Sequence, residues 1–333
     1  MNHVVVTGGA GFLGSHLCRA LLACGDRVTA IDDLSTGRAS TIAHLHAHPW
    51  FALRKADVTA VGAFADLDSV THMVHLAGAG GSDIRRRPVE TIRAASTGTL
   101  AALDLASARS ARIVVSGAHA TPSGGRARIA TGGSELDRLR AAAELIAESS
   151  ARHYPDANVG IVRPFEVYGP HQRPGSGIGA TICAAALRDQ TVYLTDDEAR
   201  SFIYVADVAD AVIAMLDSDI PGPVDIGGPM IALSEFTRLT IDLAGRGWLE
   251  TPPSPESGAG PDIPPGVAAT VRSGTRPPNL IHTHAVLGWK PTTSLPTGLC
   301  CTLDSIQAVL SASRTGEGRG RGTREQSVGG LRR

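Results

Sequence analysis

Three glycines at three-residue spacing, Gly8, Gly11 and Gly14, follow directly on the apolar run Val4-Val5-Val6-Thr7 and open a helical pattern. Gly8 permits a tight turn, Gly11 lets backbone approach a pyrophosphate, and Gly14 lets the helix close on the sheet. The helix N-terminus, carrying Phe12 and Leu13, then presents its positive dipole end to the phosphates. Asp32 ends the next apolar run, 18 residues after Gly14, where a carboxylate accepts hydrogen bonds from ribose hydroxyls. Asp57 and Val58 follow the third run and are expected at the adenine edge. Asp32 taken alone favours NAD(H), because a carboxylate repels a 2′-phosphate. Arg38, in the following loop, could instead bind that phosphate, so NADP(H) stays open.

These groups need a sheet to hold them. Alternating apolar runs and helical patterns predict parallel strands at His3–Thr7, Arg27–Ile31, Phe51–Lys55, Thr71–Leu76, Arg112–Ser116 and Asn158–Val162. Helices are expected near Phe12–Cys24, Val61–Leu67, Pro88–Ala108 and Glu135–His153. After Arg163 the elements shorten between Gly- and Pro-rich loops: helices near Gly179–Arg188, Ala206–Leu216 and Leu233–Ala244, with a short strand at Val192. The residues from Ser311 on are Gly, Arg and Ser with little apolar content, which predicts a flexible tail over 311–333.

Composition narrows the function classes. The chain has 333 residues, 43% of them hydrophobic, and a formal charge of −1, so it can bury a core and has no global field for nucleic acid or a membrane surface. No apolar run approaches the roughly 18 residues of a membrane span. Cys18, Cys24, Cys183, Cys300 and Cys301 show no CxxC spacing, which fits reduced thiols in the cytoplasm. His44, His46 and His48 lack acidic partners, and no metal site is expected. Arg85, Arg86 and Arg87 read as a solvated loop face.

The chain resembles the extended short-chain dehydrogenase/reductases, the NAD-dependent nucleotide-sugar epimerases, dehydratases and decarboxylases. The matching stretches are TGGAGFLGSHL at Thr7–Leu17, IDDLSTGR at Ile31–Arg38, HLAG at His75–Gly78 and PVETI at Pro88–Ile92. Further on come RPFEVYGP at Arg163–Pro170, RSFIYVADVADAV at Arg200–Val212, DIGG at Asp225–Gly228 and LGWKP at Leu287–Pro291. The resemblance implies an α/β fold: a Rossmann-type doubly wound parallel sheet over 1–165, then a smaller C-terminal substrate-binding lobe over 166–310 that returns to the sheet. It places Leu76, Ala77, Gly78, Arg140, Pro164 and Val167 beside the cofactor, with Glu166 bordering the nicotinamide, and Arg200 and Arg276 near a nucleotide-sugar diphosphate. The long helices at Pro88–Ala108 and Glu135–His153 match those of the family's homodimer interface.

The family's proton transfer rests on a Ser/Thr and on a Tyr and Lys spaced Tyr-x-x-x-Lys. Aligning the family's helix on Glu144 puts Leu136 at the Tyr and Arg140 at the Lys, and Ala118 at the hydroxyl position. No other register rescues the motif: the two lysines are Lys55 and Lys290, and Phe51 and Val286 stand four residues before them. Ser96, Ser116 and His119 are the remaining candidates to supply a hydrogen bond or proton. Ketone reduction tolerates the loss of a base better than sugar oxidation does. The expected function is therefore an atypical NAD(P)H-dependent ketoreductase acting on an activated ketone of an aromatic, angucyclinone-like polyketide in antibiotic biosynthesis. The alternatives are a nucleotide-sugar epimerase, dehydratase or decarboxylase, and a catalytically inactive NAD(P)-binding protein.

Overall fold

The computed structural model describes residues 1–78, 87–117, 135–194, 197–250, 267–269 and 276–321. Seven parallel strands form the main sheet: β1 (His3–Thr7), β2 (Arg27–Asp32), β3 (Phe51–Lys55), β4 (His72–His75), β5 (Arg112–Ser116), β6 (Asn158–Pro164) and β10 (Val224–Ile226), in the order β10-β6-β5-β4-β1-β2-β3. The chain winds outward from β1 through β2 to β3, and on the other side from β4 through β5 to β6. This reversal opens a crevice beyond the carboxyl ends of β1 and β4, where α/β sheets bind ligands. Six of these strands were expected. The seventh, β10, is three residues long with an aspartate in its middle, too short to register as an apolar run.

Helices cover both faces. They are α1 (Phe12–Ala23), α2 (Ala39–Ile42), α3 (Pro88–Arg93), α4 (Thr99–Ala108), α5 (Glu135–His153), α6 (Ile178–Leu187), α7 (Val205–Leu216), α8 (Leu233–Ala244), α9 (Leu280–Leu287) and α10 (Leu295–Arg321). Strand alternation divides the core cleanly. Val4, Val6, Ala30, Val74, Val114 and Val162 face Leu17 and Leu21 of α1 and Val208, Val212 and Met215 of α7. Val5, Ile31, Met73, Ile113, Val115 and Ile161 face the opposite layer, where Ala102, Leu103 and Ala106 of α4 pack. Burial on both faces explains why the strands read as continuous apolar runs rather than alternating ones.

The second lobe holds two three-stranded sheets. β7 (Glu166–Tyr168) and β11 (Met230–Ala232) flank β9 (Ala199–Tyr204), while β12 (Trp248–Glu250) and β13 (Val267–Ala269) flank β8 (Thr191–Leu194). Tyr168, Ile182, Phe202, Phe236, Leu299, Leu303 and Ile306 form its core, with Phe202 and Phe236 stacked at 3.8 Å between ring centroids.

Two local expectations are corrected. Residues 61–67 form turns, not a helix, because Gly62 and Asp66 both take positive φ (82° and 58°), which a right-handed helix cannot continue. The helix expected over 88–108 is interrupted by a π-turn at Ala94–Gly98. Helix α10 runs on to Arg321. Once its apolar stripe at Leu299, Leu303 and Ile306 is anchored, each added residue gains a backbone bond without a new nucleation penalty. Among the described residues no helix is long and apolar enough to cross a membrane.

Candidate functional site

The loop between β1 and α1 is built by close approach. Gly8 takes φ +70°, its N–H donates to Ile31 O at 2.8 Å, and its carbonyl accepts from Gly11 N at 3.0 Å. A Cβ on Gly14 would lie 2.1 Å from Gly8 O, so only glycine lets α1 seat so deeply. The N-terminus of α1 has no side-chain cap and no acidic residue in its first turn, which leaves its N–H groups and positive dipole end to an anion. Asp32 braces this loop: Oδ2 accepts from Ala10 N at 3.0 Å and Oδ1 from Leu34 N at 2.8 Å. Burial raises its carboxyl pKa, and those two N–H bonds oppose the rise.

Two clefts meet at this loop, both lined by Gly8 and Thr36. The smaller, about 150 Å³, is walled by Asp32, Asp33, Asp57, Val58, Ala77, Gly78 and Arg87. The larger, about 290 Å³, runs from Gly11, Phe12, Leu13 and Gly14 past Leu76, Ser116, Gly117 and Glu144 to Pro164–Val167 and His171–Arg173. An extended dinucleotide fits this arrangement: adenosine in the smaller cleft, pyrophosphate at the glycine loop, nicotinamide at the Ser116–Pro164 end. The test of fit is the space itself, since the bare Cα positions of Gly11 and Gly14 make the cradle.

All of the expected cofactor residues line these clefts except Arg140, but Arg38 lies in a different place from the one expected. Arg38 does not reach the ribose end: its Nη2 donates to His171 O at 2.9 Å and its side chain borders the larger cleft. The second lobe's loop captures it there, while Arg87, read from the sequence as a solvated loop face, lines the smaller cleft with its Nη1 4.0 Å from Asp33 Oδ2. Ser96 is removed from the site because its hydroxyl donates to Ile92 O at 2.7 Å, satisfied within the helix. Ser116 does line the larger cleft. His119 and the Arg140 side chain lie outside the described residues. Arg200 and Arg276 are drawn into ion pairs: Arg200 Nη1 lies 3.4 Å from Glu166 Oε1, and Arg276 donates to both oxygens of Asp225 at 2.6 and 2.8 Å.

Sequence reading missed the strap from His171 to Gly177, which lines the larger cleft beside the phosphate end. Arg173 Nη2 donates to Thr36 O, and His171 N donates to Ser305 Oγ at 3.0 Å. Burial lowers the His171 pKa, assisted by His44, Arg38 and Arg19. The Gly-Pro-His-Gln-Arg-Pro-Gly run was its available signal, but nothing in a linear pattern says that it crosses back to the first lobe. Glu144 served only as an alignment marker, yet it is a buried carboxylate on the wall of the larger cleft.

One turn further along α5, Glu148 is a structural partner. It accepts from Arg163 Nε at 3.0 Å and from Arg163 Nη2 and Arg152 Nη2. Gly117 makes room for it, since a Cβ there would stand 2.6 Å from Glu148 Oε2. Glu148→Ala strips a mostly buried guanidinium of its partner and is expected to destabilise the fold by about 3 kcal/mol, read as a lower urea midpoint. A midpoint unchanged from wild type contradicts that role.

Comparison with known proteins gives the lineage. The model of the NAD dependent epimerase/dehydratase family matches residues 4–227. UDP-glucuronic acid decarboxylase 1 of Arabidopsis thaliana is 30% identical over 321 residues, covering 89% of this chain and 68% of that protein. Its counterpart in Xenopus tropicalis is 27% identical, covering 93% and 73%. Among solved structures, Bordetella bronchiseptica WbmF in complex with NAD+ superposes with a TM-score of 0.74 at 20% identity, covering 96% of this chain and 97% of that one. Thermotoga maritima UDP-glucose 4-epimerase superposes with 0.72 at 22% identity, covering 92% and 99%. These relatives overturn the aromatic-polyketide ketoreductase expected from the sequence. That expectation rested on a missing proton-transfer motif, which says which step is impaired and nothing about what the cleft binds. With two thirds of its length matched and a cleft pair shaped for a nicotinamide dinucleotide, the chain belongs to the NAD dependent epimerase/dehydratase family.

Proposed function

We propose that the chain acts on a nucleotide sugar as an NAD-linked epimerase, dehydratase or decarboxylase. The observation that carries this reading is the match to UDP-glucuronic acid decarboxylases over about nine-tenths of the chain, which includes the second lobe as well as the cofactor domain. The cofactor, when bound, supplies reversible oxidation of a carbinol carbon. The chain's own residues do the rest. Gly8–Gly14 and the α1 N-terminus take the pyrophosphate, Asp32 and Asp33 take the ribose hydroxyls, and Pro164–Val167 with Ser116 border the nicotinamide. Asp32 and Asp33 in the smaller cleft, with Arg38 held elsewhere and Arg87 facing Asp33 at 4.0 Å, support NAD over NADP.

The absence of Tyr-x-x-x-Lys supports a second reading, a protein that binds cofactor and nucleotide sugar without converting it. Loss of a positioned acid–base group lowers rates by about 10²- to 10⁴-fold, so slow turnover and none must be told apart by measurement. NAD-loaded protein is incubated with UDP-glucose and UDP-glucuronate, following 340 nm absorbance and product by chromatography, with NAD+ and NADP+ affinities measured separately by calorimetry. Conversion, with NAD+ bound at least about tenfold tighter than NADP+, is the expected result. Binding without conversion establishes the second reading, and failure to bind any nucleotide sugar overturns both.

A further inference from the structure

The hydrogen bonds around His171 fix how its ring is protonated. Ser15 has one hydroxyl proton, and it goes to Phe12 O at 3.0 Å. The 3.2 Å contact between Ser15 Oγ and His171 Nδ1 is therefore donated by Nδ1–H. In the neutral ring Nε2 is then a bare lone pair, and it has no partner among the described residues. Ser15 lies in the first turn of α1, where its N–H is the first bonded into the helix, to Gly11 O at 3.0 Å. The three N–H groups before it, on Phe12, Leu13 and Gly14, are the ones left for phosphate. The His171 ring is thus tied to the same helical turn that takes the anion, on the wall of the larger cleft.

The charge around that ring is of one sign. Every charged group that acts on His171 is basic: His44 of the turn Ala43–Leu45, Arg38 and Arg19 of α1. Arg38 in turn feels Arg173 of the strap, and α10 contributes the Ser305 hydroxyl, which accepts from His171 N at 3.0 Å. Burial and these neighbours hold His171 below the usual imidazole range, so the empty cleft keeps it neutral. The adjacent His16 ring, 5.0 Å away between centroids, does not share the proton. Its Nε2 donates to Pro170 O at 3.0 Å, and burial lowers its pKa to about 4. A pyrophosphate at the α1 N-terminus reverses the balance: a bare Nε2 repels its oxygens, whereas a protonated Nε2 gives them a charge-assisted hydrogen bond.

We propose that His171 is a ligand of the cofactor's pyrophosphate, donating from Nε2 in its protonated form, so that NAD enters the cleft together with one proton from solvent. This rests on the placement of the dinucleotide and is independent of which sugar the chain takes. Because the bound state holds the proton more firmly than the empty one, affinity rises as pH falls toward the empty-site value and levels off below it.

The test is titration of the full chain with NAD+, whose own groups do not ionise in this range. Calorimetry at about pH 7 in two buffers of unlike ionisation heat counts the protons, and an uptake of at least about 0.3 is expected. Affinity at about pH 6 should exceed that at about pH 8 by at least about fivefold. His171→Asn, which suits the left-handed backbone at φ 69°, should bind weakly at both pH values. His171→Arg, with a fixed charge, should bind at both as the wild type does in acid. Each variant is first shown to unfold cooperatively on heating, and the wild-type proton count depends on neither. Wild-type binding without proton uptake, or a pH dependence kept by His171→Asn, overturns the proposal and leaves the cofactor site standing. Absence of NAD+ and NADP+ binding at both pH values removes the placement of the dinucleotide, and the proposal with it.

Discussion

Gly14→Ala is expected to weaken NAD binding severely. The added Cβ would stand 2.1 Å from Gly8 O and 2.8 Å from Gly9 Cα, both backbone atoms that cannot swing aside as a side chain can. An alanine inside a helix is intrinsically better than glycine by about 1 kcal/mol, so an exposed helix would gain from this change. Overpacking against a fixed backbone costs about 1–3 kcal/mol and falls on the loop that Gly8, Gly11 and Asp32 hold together. The relief available is to lift the α1 N-terminus away from Gly8, which moves the phosphate-binding N–H groups. Affinity for NAD+ should fall by at least about 100-fold, equivalent to roughly 3 kcal/mol, with helix content by circular dichroism largely unchanged. Titration calorimetry checks this, and an affinity within threefold of wild type would sink the geometric account of the loop.

The second large effect is on stability in acid. His75 is fully buried at the end of β4, its Nδ1 2.9 Å from Thr7 Oγ1 and its Nε2 3.1 Å from Thr99 Oγ1. Burial holds it neutral and lowers its pKa from 6.5 to about 4. Between those values the unfolded chain binds a proton that the folded chain refuses. The contribution is therefore complete above the unfolded value and is lost as pH falls toward about 4, amounting to about 3 kcal/mol. His16, lowered to about 4 chiefly by burial, acts in the same direction. Asp32 acts oppositely, because burial raises its carboxyl and protonation relieves that cost. Urea unfolding at about pH 7 and about pH 4.5, run on wild type and His75→Gln, isolates the imidazole. The wild type should lose more stability on acidification than the variant does. An equal loss in both proteins refutes the assignment.

The parts of this molecule legible from sequence are those governed by local rules. Gly8, Gly11 and Gly14 lie within one turn-and-helix unit, and Asp32 follows at the end of the next strand, so their spacing along the chain is also their spacing in space. Strands β1, β3 and β5 were read at their observed bounds because burial on both faces makes them uninterrupted apolar runs. The β10 strand escaped because three residues with an internal aspartate carry no periodic signal, and the 61–67 segment misled because its left-handed Gly62 and Asp66 are invisible in hydropathy. Arg38 was read by proximity in sequence to Asp32. In the folded chain its guanidinium is claimed by the carbonyl of His171, 133 positions away.

By itself the sequence determined the cofactor fold and the absence of a Tyr-x-x-x-Lys pair, because both are statements about residue type at fixed short spacing. Only the tertiary structure decided what stands around the reacting end of the cleft. Glu144 comes from α5, Glu166 from β7 and Ser116 from β5, and they share a wall because three separate elements converge beyond the carboxyl edge of one sheet. The strap at His171–Gly177 and the displacement of Arg38 belong to the same class. Long-range packing sets them, and no pattern along the chain encodes a contact whose two halves are more than a hundred residues apart.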